Sequence, residues 1–150
     1  MSDIISKLKT PEECVIFEKN VTDRGHLDLA VAARKRAIEL RAKAYGAATD
    51  AERECLEAVY AYERVLLKKH GRKIPASRTW GMIKRHGIIK AVERAVDRKG
   101  ETSGYLALLE IGLAEYAFEA VVLRYPKLFS SEAVKRSQER VQAQAPLKEA

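Results

Sequence analysis

Arg64 and His70, six residues apart in the stretch ERVLLKKH, set a permanent cation near a titratable imidazole. An arginine can stabilise charge on a reacting phosphate while a histidine moves the proton. The pair therefore has the chemistry to assist attack of a ribose 2′-hydroxyl on the adjacent phosphate without a metal. A larger cationic set follows it. Arg72, Lys73, Arg78, Lys84, Arg85, Lys90, Arg94 and Arg98 succeed one another with the hydroxyl of Thr79 among them, and such groups hold phosphates by charge and hydrogen bonds. Residues 64–99 carry twelve Lys or Arg against two acids, Glu93 and Asp97, a net of +10; the chain totals +7, which leaves the other 114 residues at −3. A surface charged for solubility alone intersperses both signs. Concentrating one sign in a quarter of the chain raises self-repulsion, and an anionic partner offsets it.

Helical spacing sharpens this reading. At 100° per residue Lys90, Arg94 and Arg98 fall on one stripe, opposite Ile88, Val92, Ala95 and Val96, so one face packs while the other is cationic. Arg72, Lys73 and Arg78 sit on or beside a short loop, GRKIPAS, near Lys84 and Arg85 in sequence, and these five are expected to converge on one small region. Arg78 and Thr79 open the helix after the loop, where a guanidinium, a hydroxyl and free backbone amides suit a phosphate. The pair of helices from Ser77 to Arg98, broken at Gly87, has the outline of a helix-turn-helix, whose second helix enters the major groove. Three residues depart from that outline: His86 and Glu93 stand where apolar residues belong, and Ile83 is bulky where a small residue is usual. Trp80, the only tryptophan, is expected in the core rather than stacked on a base.

The stretch from Arg64 to His70 also resembles, in spacing, the arginine-to-histidine motif of the small helical ribonucleases of the HEPN type. The resemblance covers seven residues and departs at Val65, where that family often has a polar residue; it implies metal-independent RNA cleavage with Arg64 and His70 as the catalytic pair. The preferred reading is a nucleic-acid-binding protein without catalysis, contacting phosphates, with DNA favoured over RNA. The alternatives are a helical module that binds an acidic protein partner, with a docking face on its alanine seam, and the HEPN-like ribonuclease.

Other chemistries find no foothold. HExxH, GxxxxGK[ST], GxGxxG and GxSxG are absent, and neither the three histidines nor Cys14 and Cys55 have metal-ligand spacing, so no cofactor or metal site is expected. His70 and His86 lie among cations that favour the neutral ring. Glu110, Glu115 and Glu119 accompany the most apolar stretch and are expected at its rim or paired with Arg124. Two packed, reduced thiols, no apolar run of roughly 20 residues and an N-terminus MSDIISKLKT without a secretory layout give the expectation of a cytoplasmic protein with no membrane contact.

The elements that position these residues read as helices throughout, because apolar residues recur every three or four positions and Gly and Pro fall between the segments. The expectation is one compact all-α domain over residues 1–150, a bundle of six or seven helices with residues 1–9 and 146–150 frayed. Thr10, Pro11 and Glu13 start the first helix and Gly25 ends it. From Leu27 to Tyr45, Ala30, Ala33, Ala37 and Ala44 join Leu40 in a seam of small side chains, closed by Gly46. Thr49 and Glu52 open the longest helix, which faces inward through Cys55, Val59, Tyr62 and Leu66 and ends at Gly71. Ser77 is expected to cap the next helix. Residues 105–124 read as the buried centre with a bend at Gly112. After Pro126 a polar helix from Ser130 or Ser131 to about Ala145 is expected to dock loosely.

Overall fold

A computed structural model describes residues 2–97 and 103–144. The expectations for Arg98, Lys99 and the C-terminal residues 146–150 therefore lie outside the described residues. Within them the protein is all-α: nine α-helices and two 3₁₀ turns, with no strand. The count exceeds the six or seven expected because a helix forms at Ser2–Ser6 and the stretch 105–124 is broken. The chain forms two compact units, residues 1–48 and 49–150.

The first unit holds α1 (Ser2–Ser6), α2 (Pro11–Asp23) and α3 (Leu27–Tyr45). The first extra helix is α1, in a stretch expected to fray; Arg36 of α3 donates through Nε to the Leu8 carbonyl at 3.0 Å and ties down the chain that follows it. Helix α2 begins where the sequence places it. Thr10 Oγ1 accepts from the Glu13 N–H at 3.1 Å, and the Glu13 carboxylate accepts from the Lys9 N–H at 2.7 Å, one residue earlier than in the usual capping box. Helices α2 and α3 pack along each other. Ala30, Ala33 and Ala37 are buried as the seam requires, but Ala44 is exposed, and Ala42 and Ile38 are buried instead, because the seam turns with the 3.6-residue period. These alanines lie on the packed side of α3.

The second unit runs through α4 (Asp50–His70), α5 (Ser77–His86), α6 (Ile88–Val96), α7 (Ser103–Glu110), α8 (Phe118–Arg124) and α9 (Ser131–Ala143). Thr49 caps α4 through a 3.1 Å bond from the Glu52 N–H, and Gly71 ends it in the left-handed conformation at φ +70°. The core gathers Cys55 and Ala58 of α4, Val92 and Val96 of α6, Val121 and Val122 of α8, Phe129, and Ala133 of α9. Cys55 and Val59 are buried as expected, whereas Tyr62 and Leu66 are half-buried. The stretch 105–124 is the second source of extra helices. Gly112, at φ +77°, separates α7 from a 3₁₀ turn at Ala114–Tyr116 and then α8. Ser130 caps α9 through the Ala133 N–H at 3.1 Å. Helix α9 is firmly docked rather than loose: Ala133, Ser137 and Arg140 are buried against the unit, and Arg140 reaches Glu119 of α8. No helix among the described residues is long and apolar enough to cross a membrane.

Candidate nucleic-acid interface

The basic segment is built on the second unit by α4, the loop after it, α5 and α6. Gly71 turns the chain out of α4, and residues 72–76 cross to α5 without regular structure. One carboxylate holds this crossing: Glu63 Oε2 accepts from the Ala76 N–H at 2.8 Å and from Trp80 Nε1 at 2.7 Å. Trp80 also sits against Tyr60, with ring centroids 5.2 Å apart and planes tilted by 57°. The tryptophan is thus a half-buried anchor, in line with the core reading, and its one donor is committed inward. Ala76, and not Ser77, occupies the N-cap of α5; the Ser77 hydroxyl donates back to the Pro75 carbonyl at 3.4 Å and caps nothing. The Glu63 carboxylate replaces the missing cap from another helix. Sequence spacing gave no sign of this, because Glu63 lies 13 and 17 residues before its partners.

Of the nine residues expected to bind phosphate, seven are exposed: Arg72, Lys73, Arg78, Lys84, Arg85, Lys90 and Arg94. Thr79 is not among them. It is 8% exposed and faces the interior of the unit, because its position on α5 shares the apolar side with Met82 and Ile83. The hydroxyl therefore does not join Arg78 at the surface. Lys90 is held by Glu93, Nζ to Oε2 at 3.1 Å, while the other Glu93 oxygen accepts from the Ser130 N–H at 2.8 Å and steadies the start of α9. Glu93, out of place in a helix-turn-helix pattern, is thus a structural acceptor.

The five cations expected to converge do not do so. Arg78 stands in the first turn of α5, and Lys84 and Arg85 stand in its last, about 9–10 Å along the axis at 1.5 Å per residue. The structure divides them into two groups. Arg72, Lys73 and Arg78 gather around the loop with Lys68 and Lys69, which end α4 and which the sequence reading counted as charge without assigning to the site. Lys84 and Arg85 join Lys90 and Arg94 across Gly87, the single residue between α5 and α6 at φ +89°. A helix-turn-helix has three or four residues at that point. Arg78 and Arg85, seven residues apart, return to the same side of α5 and link the two groups. The Arg85 guanidinium folds back over Gly81, where an added Cβ would lie 3.2 Å from its Nη1. His86 is exposed at the end of α5; desolvation, then Arg94 and Arg85, hold its ring below the ordinary value of 6.5.

Arg64 and His70 both lie on α4, which runs unbroken through them. Six residues place them about 9 Å apart along the axis and about 120° apart around it, so a single copy of the helix does not bring them to one reacting atom. Arg64 is half-buried and His70 is the exposed last residue of the helix. Among the acids of the apolar stretch, Glu110 and Glu115 are exposed, while Glu119 is buried and paired with Arg140 at 3.1 Å, not with Arg124. Arg124 instead meets Glu54 at 2.6 Å, whose second oxygen accepts from the Tyr125 hydroxyl. That bond, then desolvation, raises the Tyr125 pKa above its ordinary value. Cys14 and Cys55 are free and buried; burial raises both thiols, Cys55 to about 12.

Comparison with protein-family models, with curated proteins and with solved structures gives no match to this chain.

Proposed function

We propose that this protein binds nucleic acid through its phosphates, with duplex DNA favoured, using the cations of α4, α5, α6 and the loop of residues 72–76. One observation carries the reading. Four arginines outside the candidate set are neutralised by carboxylates: Arg34 by Glu18, Arg53 by Glu57, Arg124 by Glu54 and Arg140 by Glu119. Among the described members of the candidate set Lys90 alone has such a partner, and no carboxylate pairs with Arg72, Lys73, Arg78, Lys84, Arg85 or Arg94. The chain has 21 acidic residues and deploys almost none of them here. Six cations left without internal partners are ready to replace the counterions of a phosphate backbone.

The division into two groups suits a backbone better than a single anion. The stripe from Arg78 to Arg85 is about 10 Å long, enough to meet more than one phosphate of a strand. Helix C-termini at Gly71 and Gly87 give the lysines and arginines of those turns a favourable place to stand, and a bound phosphate then adds the missing charge. These contacts fix position and carry no base information, so little sequence preference is expected.

The test is a charge-matched comparison. Replacing Arg72, Lys73 and Arg78 by Gln removes three cations from the loop group, and replacing Lys19, Lys43 and Lys127 removes three exposed cations from elsewhere. Affinity for a fluorescent duplex is expected to fall about tenfold or more for the first triple variant and little for the second. Equal losses would mean that net charge alone is responsible. Binding to neither nucleic acid, with capture of an acidic protein, would move the surface to the protein-partner reading.

A further inference from the structure

A cavity of about 110 Å³ lies inside the second unit where α4, α5, α6, α7 and α8 meet. Tyr62, Tyr105 and Phe118 line it together with Met82, Thr79 and the Glu119 carboxylate. At that volume it holds on the order of three or four waters, or one small head group, and falls below the roughly 300–1,000 Å³ of a site for a whole drug-sized ligand. Its lining is the reverse of its surroundings. The segment from 64 to 99 carries a net +10, yet the described residues that line the cavity include no Lys or Arg and one carboxylate.

We propose that this cavity binds a small alkylated ammonium group. The aromatic walls attract a cation through their ring quadrupoles, and the attraction grows when the site is shielded from water. Glu119 supplies the acceptor. Its Oε2 is engaged by Arg140 at 3.1 Å, and its Oε1 makes no hydrogen bond among the described residues and stays accessible to a small molecule. An ammonium that keeps one N–H can donate to Oε1 while its methyl groups meet the rings and Met82. The Arg140 pair fixes the carboxylate and leaves the ion pair neutral as a whole, so the rings and one directed hydrogen bond carry the binding. Thr79, buried rather than turned to the surface, offers a second polar contact at the same site. The phosphate-binding surface is separate from this cavity in its residues, and neither reading depends on the other.

Two small probes, each with three methyl groups and one donor hydrogen, separate charge from apolar bulk: trimethylammonium chloride and tert-butanol. Each is titrated into the full-length protein while the Tyr62 and Tyr105 ring resonances are followed by NMR. Saturable shifts are expected with trimethylammonium, and about fivefold weaker binding or none with tert-butanol. Tyr105→Leu keeps an apolar wall and is expected to weaken trimethylammonium binding about threefold or more with a thermal midpoint close to that of the parent. Equal affinity for the two probes, or no saturable shift with either, would overturn the proposal irrespective of how the variant folds. An unchanged trimethylammonium affinity in folded Tyr105→Leu would overturn it as well.

Discussion

Arg78 is the single side chain on which the phosphate reading is most exposed, because it lies on the stripe that joins the two cationic groups and has no carboxylate partner among the described residues. Arg78→Ala is expected to weaken binding to all sequences by a similar factor and to flatten the salt slope by about one. Sequence-dependent losses would show that it reads bases. His86 reports the same field. Desolvation, Arg94 and Arg85 keep its ring neutral in the free protein, so a phosphate arriving beside those arginines favours protonation and raises its pKa. Binding is then linked to proton uptake and tightens as pH falls from the bound-state pKa of His86 toward its free-state pKa; the ring, followed by NMR, should titrate below 6.5 alone and higher with an oligonucleotide. A titration unmoved by nucleic acid would place the bound phosphates elsewhere. The cysteines behave oppositely, as groups removed from chemistry. With burial raising the Cys55 thiol to about 12, a disulfide-exchange reagent should label it only as fast as the protein opens. At this scale the exposed cations were legible in the sequence, since charge density needs no fold to be read. Thr79 was not, because one step around α5 decides whether a hydroxyl meets solvent or Met82.

Elements came through where their signals are local. Thr10, Thr49 and Ser130 cap the helices that follow them, and Gly46, Gly71 and Gly87 take positive φ at the ends expected of them. What escaped was held from a distance. Ser77 looks like a cap by type, yet the start of α5 is set by Glu63 of α4, and no window along the chain contains both. The same tether makes a prediction. Trp80→Phe removes one donor from Glu63 without changing charge, and is expected to lower stability by about 1–3 kcal/mol and to loosen the loop group. The salt slope should stay unchanged, which distinguishes lost positioning from lost phosphate contacts; a shallower slope would contradict the indirect role. Gly81 gives an opposite handle. Its added Cβ meets only the far end of the flexible Arg85 side chain, so Gly81→Ala is expected to gain up to about 1 kcal/mol of helix stability and to raise the thermal midpoint by about 2–4 °C. The five cations expected in one small region are spread for an element-scale reason: a ten-residue helix is about 15 Å long, and it separates Arg78 from Lys84 and Arg85 along its axis.

Across the whole molecule the two signs of charge are used differently. Carboxylates go to helix starts, to ion pairs such as Glu18 with Arg34, and to the buried pair of Glu119 with Arg140, while among the described residues Arg72, Lys73, Arg78, Lys84, Arg85 and Arg94 have no carboxylate partner. That contrast was half legible. The sequence shows the net charge of the segment, but only the side-chain partners show which carboxylates, such as Glu18, Glu54, Glu57 and Glu119, are paired with arginines elsewhere. The central claim is that these six cations exchange counterions with a phosphate backbone, and the direct measure of that exchange is the slope of log affinity against log salt for a labelled duplex. If three to five phosphates are neutralised, the slope lies between roughly −2.7 and −4.5, and it becomes shallower as the loop arginines are removed. A slope near zero, or no binding at low salt, would contradict the account.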